Sequence, residues 1–538
     1  MAAEGREPRP TPDRPRGRRR RRRRLTGALI ALAVVAAACG NDDGEPAAEP
    51  GEAADGATGE VRFLSAEAFW ADWSPYQSTA LSQRRLERHV YDYLVDFPTG
   101  DLTEEPEPQL ATDWRQIDDT TWEFDLRDGV VFHDGQPFTA EDVKASVELA
   151  SGLVEETAYA QNWVPAEVEV VDDLTARITT EEPFAALFAE LWWTPIVSAE
   201  TLAGDPDDVA RAPNGTGPFR LVDDQTTVKT MEANPDYWGE PPKIDTLVWE
   251  FIQDPQTRLN ALLSGEADVI DRVPPQQLER LEGEEGIELV QVTAIESVNL
   301  WVRPGRLPLW EENEHYREAF AWSIDRQALV DNLLLGETKL AESFLPPDTN
   351  FFSPQEPTYG FDPERARAAL EEGGIEDGGP EFELWVAEGF LPRASEVVAA
   401  IADSMQQVGL KPKIVTSDID GMIDDIFSEN GTGAVYHLSW ATDGDAHSHA
   451  QVYGTGFVWN AGLGADRIDD LIQTGLTALD QDERADVYAE LQSFMWDLLP
   501  HIPLYNTDFT IAHRSDLQGL LIQPNVLRTD FHRAELVS

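Results

Sequence analysis

The chain has 538 residues, one cysteine and a formal net charge of −59. That length is too great for a single core, so two or three lobes are expected. The charge disfavours nucleic acid and anionic ligands at long range, and a lone cysteine excludes an intrachain disulfide and the cysteine-rich zinc patterns.

The N-terminus reads as a targeting segment. Eleven arginines fall within residues 1–24, seven of them in Arg18–Arg24. Residues 25–38 are uncharged and mostly apolar, and Cys39 follows Ala36-Ala37-Ala38. This is the order of a basic region, an apolar region and a small-residue cleavage site. The apolar run is too short to span a bilayer as a mature helix. Cys39 resembles the lipidated cysteine of a bacterial lipobox, with Ala36 where a branched residue is usual. Residues 1–38 are therefore expected to be a signal peptide and 39–58 an acidic, lipid-anchored linker. Arg23-Arg24 leaves a twin-arginine export route open. Past residue 38 the chain carries 97 acidic and 30 basic residues. A solvated acidic surface suited to a salty exterior explains this; attraction of cationic ligands is the sharper alternative.

Residues 61–64 form a first strand, followed by a loop with Trp70, Trp73 and Tyr76. Leu86, Val90, Tyr93 and Leu94 share one face of a helix over 82–95. Trp122, Phe124 and Leu126 alternate with charged residues as a half-buried strand, and 130–132 reads as a second strand. The turn at His133-Asp134-Gly135 and the Thr139/Asp142 pair then start a capped helix over 140–149. Two strands lie around Asp172-Asp173, and an apolar helical segment covers 184–193. Further on, 296–303 is a crossover strand and 314–334 a helix. Strand, helix and strand alternate over 382–386, 393–408 and 411–415, as in an α/β lobe. A strand over 435–440 leads into Asp443, Asp445, His447 and His449; helices over 467–479 and 484–499 follow, and 502–505 crosses back.

Several of these strings carry a resemblance. The stretch 122–146, Pro106–Trp114, Asn214-Gly-Thr-Gly-Pro-Phe-Arg220, Asn234-Pro-Asp-Tyr-Trp-Gly239 and Tyr359-Gly-Phe-Asp-Pro-Glu364 resemble the extracellular solute-binding proteins of family 5. These are the peptide-, oligopeptide- and nickel-binding receptors of ABC importers. The resemblance covers residues 60–535. It implies a two-lobed α/β fold of the periplasmic-binding-protein type (class II), with an inserted subdomain and a hinge of two crossover segments. Residues 59–95, 213–295 and 505–538 would form the main lobe, 96–212 its insertion and 296–504 the second lobe. It also implies an ABC permease with its ATPase as partner, a monomer on the outer face of the cell membrane, and a peptide or peptide-like solute in the cleft.

The resemblance also suggests site residues. An aspartate matching Asp443 grips the ligand's α-ammonium in the dipeptide-binding branch, and a desolvated carboxylate pairs strongly with a cation. The family's following Asp-Pro is Asp445-Ala446 here. The arginine that holds the ligand's carboxylate in that branch falls near Glu388, with Arg393 five residues on, so a free dipeptide gripped at both ends is not expected. The loop of Trp70, Trp73 and Tyr76 would border the cleft. Among Trp192, Trp193, Trp301, Trp440 and Trp459, the wall residue expected is Trp440. His447 and His449 with Asp443 and Asp445 could bind nickel or zinc, but alternate residues of a loop rarely both ligate, and no metal or cofactor is expected. Nickel-chelate or oligosaccharide binding on the same fold is the alternative ligand class. A secreted carboxylate-dependent hydrolase is the alternative of a different kind. No Gly-x-Ser-x-Gly, Walker or His-Glu-x-x-His string is present, and the expectation is a receptor, not an enzyme.

Overall fold

The computed structural model describes residues 59–537, apart from 68–72, 75, 78–80, 156, 206–209, 336–337, 357, 442, 456, 458, 460–461 and 524–527. The expected signal peptide, Cys39, the expected linker and Trp70 lie outside the described residues. Among those residues, no helix is long and apolar enough to cross a membrane.

One mixed sheet of eleven strands runs through both lobes. Its order is Lys411–Ser417, Glu381–Ala387, Val435–Ala441, Ile287–Val302, Ile502–Arg514, Val269–Asp271, Glu60–Ser65, Thr246–Phe251, Val228–Ala233 and Phe219–Asp224, with Thr338–Leu340 also paired to Ile502–Arg514. The two central strands, of 16 and 13 residues, are the crossovers. Both are much longer than the sequence suggests, because they stay antiparallel partners through the crossing. Their register slips between Thr293 and Ser297 and again between Val298 and Asn299. Such irregularities bend a strand and raise its twist.

The cores divide along these strands. Val61, Phe63, Leu247, Trp249, Phe509 and Ile511 pack in one cluster. Val298, Leu300, Phe320, Leu384, Val398 and Tyr505 pack in another, and Trp301, Tyr436, Tyr488 and Trp496 in a third. Each lobe thus buries its own apolar surface, the main source of folding free energy. Within the first lobe, Ala111–Asp118, Thr121–Leu126, Thr175–Thr180 and Ala166–Asp172 make a separate antiparallel sheet. Helix Ala140–Ala150 packs on its edge strand and joins the same core. Its capping box is present: the Thr139 N–H donates to Asp142 Oδ2 at 2.8 Å.

Four expected elements differ. The first helix spans only Leu81–Glu87, although its apolar period continues. Beyond it the backbone pairs elsewhere: Gly217 and Phe219 donate to the carbonyls of Val90 and His89, and Leu110 donates to Tyr93 O. A Cβ on Gly215 or Gly217 would come within 2.0 or 2.6 Å of the Val90 carbonyl, so this Asn-Gly-Thr-Gly string needs its glycines for close backbone approach. Residues 130–132 are not a strand; only one bridge, Val131 to Pro137, forms there. The helix over 314–334 is broken into Glu314–Ser323, Arg326–Ala328 and a π-turn Leu329–Leu333, with Asp325 capping the restart. His447 and His449 sit on a one-turn helix, Ala446–Ala450, and both are buried.

Candidate ligand-binding site

Asp443 follows the strand Val435–Ala441 and is fully buried. Its loop is fixed from below. Asp445 takes two hydrogen bonds from Arg484, Nη2 to Oδ1 at 2.7 Å and Nη1 to Oδ2 at 3.0 Å. Asn350 Nδ2 donates to Asp445 Oδ2 at 2.9 Å, and Asn350 Oδ1 accepts from the Ala446 N–H at 2.6 Å. Asp445 also caps the short helix, accepting from the His447 N–H at 2.8 Å. Burial opposes its charge, but the Arg484 guanidinium and the hydrogen bonds from Arg484, Asn350 and the His447 N–H together hold its carboxyl below the usual range. Asp445 is therefore a structural anchor.

That anchor aims Asp443. Its Oδ1 accepts from the Asp445 N–H at 2.9 Å and its Oδ2 from the Ser448 hydroxyl at 2.8 Å. Across the cleft stands Glu190, fully buried on helix Leu187–Trp193. Ser448 Oγ is 3.1 Å from Glu190 Oε1 and 2.8 Å from Asp443 Oδ2, so one hydroxyl links the two carboxyls. Burial and the neighbouring Asp443 charge push Glu190 well up; burial and Asp445 push Asp443 up to about 6. Two acids from opposing lobes so placed cannot both ionise cheaply.

A cavity of about 20 Å³ adjoins them, lined by Gln161, Asn162, Trp193, Trp440, Ala441, Asp443, Ser448 and Val452. It is near the size of one water. Two of these lining residues, Trp193 and Trp440, have buried indole N–H groups without a hydrogen-bond partner among the described residues. Around it the lobes are closed. Gln451 Nε2 bonds Asn162 Oδ1, Gln473 Nε2 donates to Glu182 Oε2 at 2.9 Å, and the Ala185 N–H donates to Leu476 O at 2.8 Å. A larger, open hollow of about 730 Å³, lined by Arg62, Glu250, Thr257 and Glu266 among others, belongs to the first lobe alone.

Of the residues predicted from sequence, Asp443 and Trp440 meet at this cleft. Trp73 and Tyr76 do not. Both are buried in the first core, where Tyr76 Oη donates to Pro195 O at 2.8 Å and packs edge-on to Tyr159. Trp192 is core and donates to Asp96 Oδ1 at 3.1 Å. Trp301 stacks on Tyr453 and Trp459 packs beside it. Glu388 is exposed at the end of its strand, and Arg393 Nη1 is engaged by Leu333 O at 2.7 Å. Burial lowers His447 and His449 to about 4 and about 3, so both are neutral. Among the described residues no group of three or more potential metal ligands forms. Trp193, named among the tryptophans but passed over for Trp440, also lines the cavity, and neither Glu190 nor Asn162 stands out in the sequence motifs. Glu190 had a signal: it is the one charged residue in the apolar run Phe184–Trp193, and an acid there must be buried with a partner.

Two lobes joined by paired crossover strands, with acids converging from both sides of a cleft, are the architecture of a hinged binding protein. Residues 105–460 match the family described as bacterial extracellular solute-binding proteins, family 5 Middle. The chain belongs to that family, whose members bind solutes for transport and are not enzymes. It is 29% identical over 436 residues to the glutathione-binding protein GsiB of Salmonella paratyphi A (strain ATCC 9150 / SARB42), which covers 77% of this chain and 83% of that protein. It is 26% identical over 473 residues to the dipeptide-binding protein of Escherichia coli (strain K12), covering 81% and 87%. In fold it is similar to the crystal structure of the dipeptide binding protein from Pseudoalteromonas sp. SM9913 in complex with Met-Leu. That match has a TM-score of 0.78 and 22% identity, and covers 89% of this chain and all of that one.

Proposed function

We propose that this protein captures a peptide or peptide-like solute between its lobes and presents it, in the closed form, to an ABC permease. Residues 59–95, 213–295 and 505–538 are the main lobe, 96–212 its insertion and 296–504 the second lobe. The observation that carries the ligand reading is the facing of Glu190 and Asp443 across the closed cleft. A primary ammonium between them would form charge-assisted hydrogen bonds in a desolvated site. A peptide N-terminus also offers a carbonyl oxygen beside its ammonium, and the unpartnered indole N–H groups of Trp193 and Trp440 are donors suited to it. Glu388 and the engaged Arg393 argue against a clamp for a free C-terminal carboxylate. The relatives' glutathione and dipeptide binding supports the peptide-like class.

The test is mass spectrometry of solute released from gently purified protein. A molecule with a primary amine next to an amide or carbonyl is expected; recovery of a neutral sugar or a metal chelate instead would overturn the reading.

Anchoring at Cys39 completes the proposal, supported by the short apolar run before it. Cys39→Ala is expected to move the protein from the membrane fraction to the soluble fraction. Retention of the variant in membranes after a high-salt wash would count against lipidation.

A further inference from the structure

Ser448 Oγ lies within hydrogen-bonding distance of both Asp443 Oδ2 and Glu190 Oε1. A serine hydroxyl has one proton to donate. It can serve one carboxylate oxygen; the other must bring a proton of its own and donate to Oγ or to the facing carboxyl. The geometry of the closed cleft therefore requires one proton more than two carboxylates and a serine supply. Nothing else delivers it. Among the described residues no lysine or arginine pairs with Glu190 or Asp443, and the undescribed positions past residue 58 contain neither residue type. Arg484 is committed to Asp445, His447 and His449 are neutral on the same short helix, and helix Leu187–Trp193 carries no titratable side chain but Glu190. A second observation marks the place as a ligand site: Trp193, a lining residue of the same cavity with a side chain 97% buried, has an indole N–H without a hydrogen-bond partner among the described residues.

We propose that Glu190 makes this cleft a proton-exchange site: with Asp443 it closes on one proton, and the solute's cationic group takes that proton's place. This rests on the ammonium reading of the same site. The exchange balances. One carboxyl O–H bond breaks, its proton leaves to solvent, and N–H···O bonds from the cation form to both carboxylates. The pair plus its occupant carries the same net charge, −1, before and after, so no additional charge is buried. Capture of a cation is thereby set apart from capture of a neutral or anionic solute, which would leave the proton in place and gain no charge-assisted bond. Glu190 is the specificity-determining residue, because Asp443 alone would meet the same cation with no proton to displace.

The device is testable without the solute. Stripped wild-type protein is followed by chromatography-coupled small-angle scattering from about pH 5 to about pH 9. The expected result is a compact form at the acid end and a rise in radius of gyration as the pair loses its proton. Glu190→Gln places an amide donor against Asp443 and should stay compact over the whole range; Asp443→Asn, with its donor facing Glu190, serves as the second variant. A wild-type radius that does not change with pH overturns the proposal, as does a change reproduced unaltered in Glu190→Gln. The two readings fail separately. A pH-insensitive radius leaves the peptide reading standing, while a recovered solute without a cation removes that reading and the exchange with it, leaving only the proton-held closure of the empty protein.

Discussion

Asp443→Asn is expected to weaken binding of the co-purifying solute by about 30-fold or more. Losing one partner of a desolvated, hydrogen-bonded charge pair costs on the order of 2–5 kcal/mol, and each 1.4 kcal/mol is about tenfold in affinity. Asparagine is a cleaner replacement than alanine. It keeps an acceptor for the Asp445 N–H, which alanine would leave buried and unpaired. The empty protein should not lose stability. Burial raises the Asp443 carboxyl to about 6, so the folded state binds its proton more tightly than the unfolded chain. The stability linked to that proton is full below the unfolded value of about 4 and is lost as pH rises through about 6. Asparagine does not titrate, so the variant's melting temperature should gain on wild type over that interval. Calorimetric titration and thermal melts at several pH values measure both effects. Unchanged affinity would make Asp443 a turn residue only; a sharp fall in the empty protein's melting temperature would make it structural.

What was legible in the sequence is what is local. The Thr139/Asp142 capping box, the alternation of Trp122, Phe124 and Leu126 and the Asp-Gly turn are decided within a few residues, and they appear as read. Elements set by distant pairing were misjudged. Val90, Tyr93 and Leu94 continue a helical period, yet their backbone is taken up by residues near 110 and 217. The single continuous sheet has the same origin, since alternation within a strand does not reveal how far its partner runs. At the site, the strand end placed Trp440 and Asp443 beside the cleft. The aromatic cluster misled because the pull of burial acts equally on a pocket wall and a core, and Trp73 and Tyr76 went to the core. Glu190 is separated from Asp443 by the whole hinge, so only its oddity in an apolar helix pointed to it.

Arg484→Met is expected to cost about 3–5 kcal/mol of stability, the penalty for leaving a buried charge without its partner. Arg484 and Asp445 are both almost fully buried and doubly bonded, and the guanidinium also lies 5.3 and 5.4 Å from the ring centroids of Phe351 and Tyr488. Methionine fills much of the stem's volume, so the loss should be electrostatic more than steric. Asp445 would then be driven toward its neutral form and would give up the geometry that orients its loop. The pH signature has the opposite sign to that of Asp443. The folded Asp445 carboxyl is held below its ordinary value, so its contribution is full above the unfolded value of about 4 and fades as pH falls below it. Wild type should lose stability on acidification more steeply than the double variant Asp445→Asn with Arg484→Met, which removes both charges and should recover part of the loss. Solute binding should fall together with stability in the single Arg484 variant, because Asp443 is aimed through the Asp445 N–H. In Asp443→Asn binding should fall alone. Urea denaturation of wild type and the three variants, with titration of the same solute, separates anchor from ligand contact. An Arg484→Met protein within about 1 kcal/mol of wild type, the range of a surface pair, would mean that Asn350 and the turn hold this loop without the ion pair.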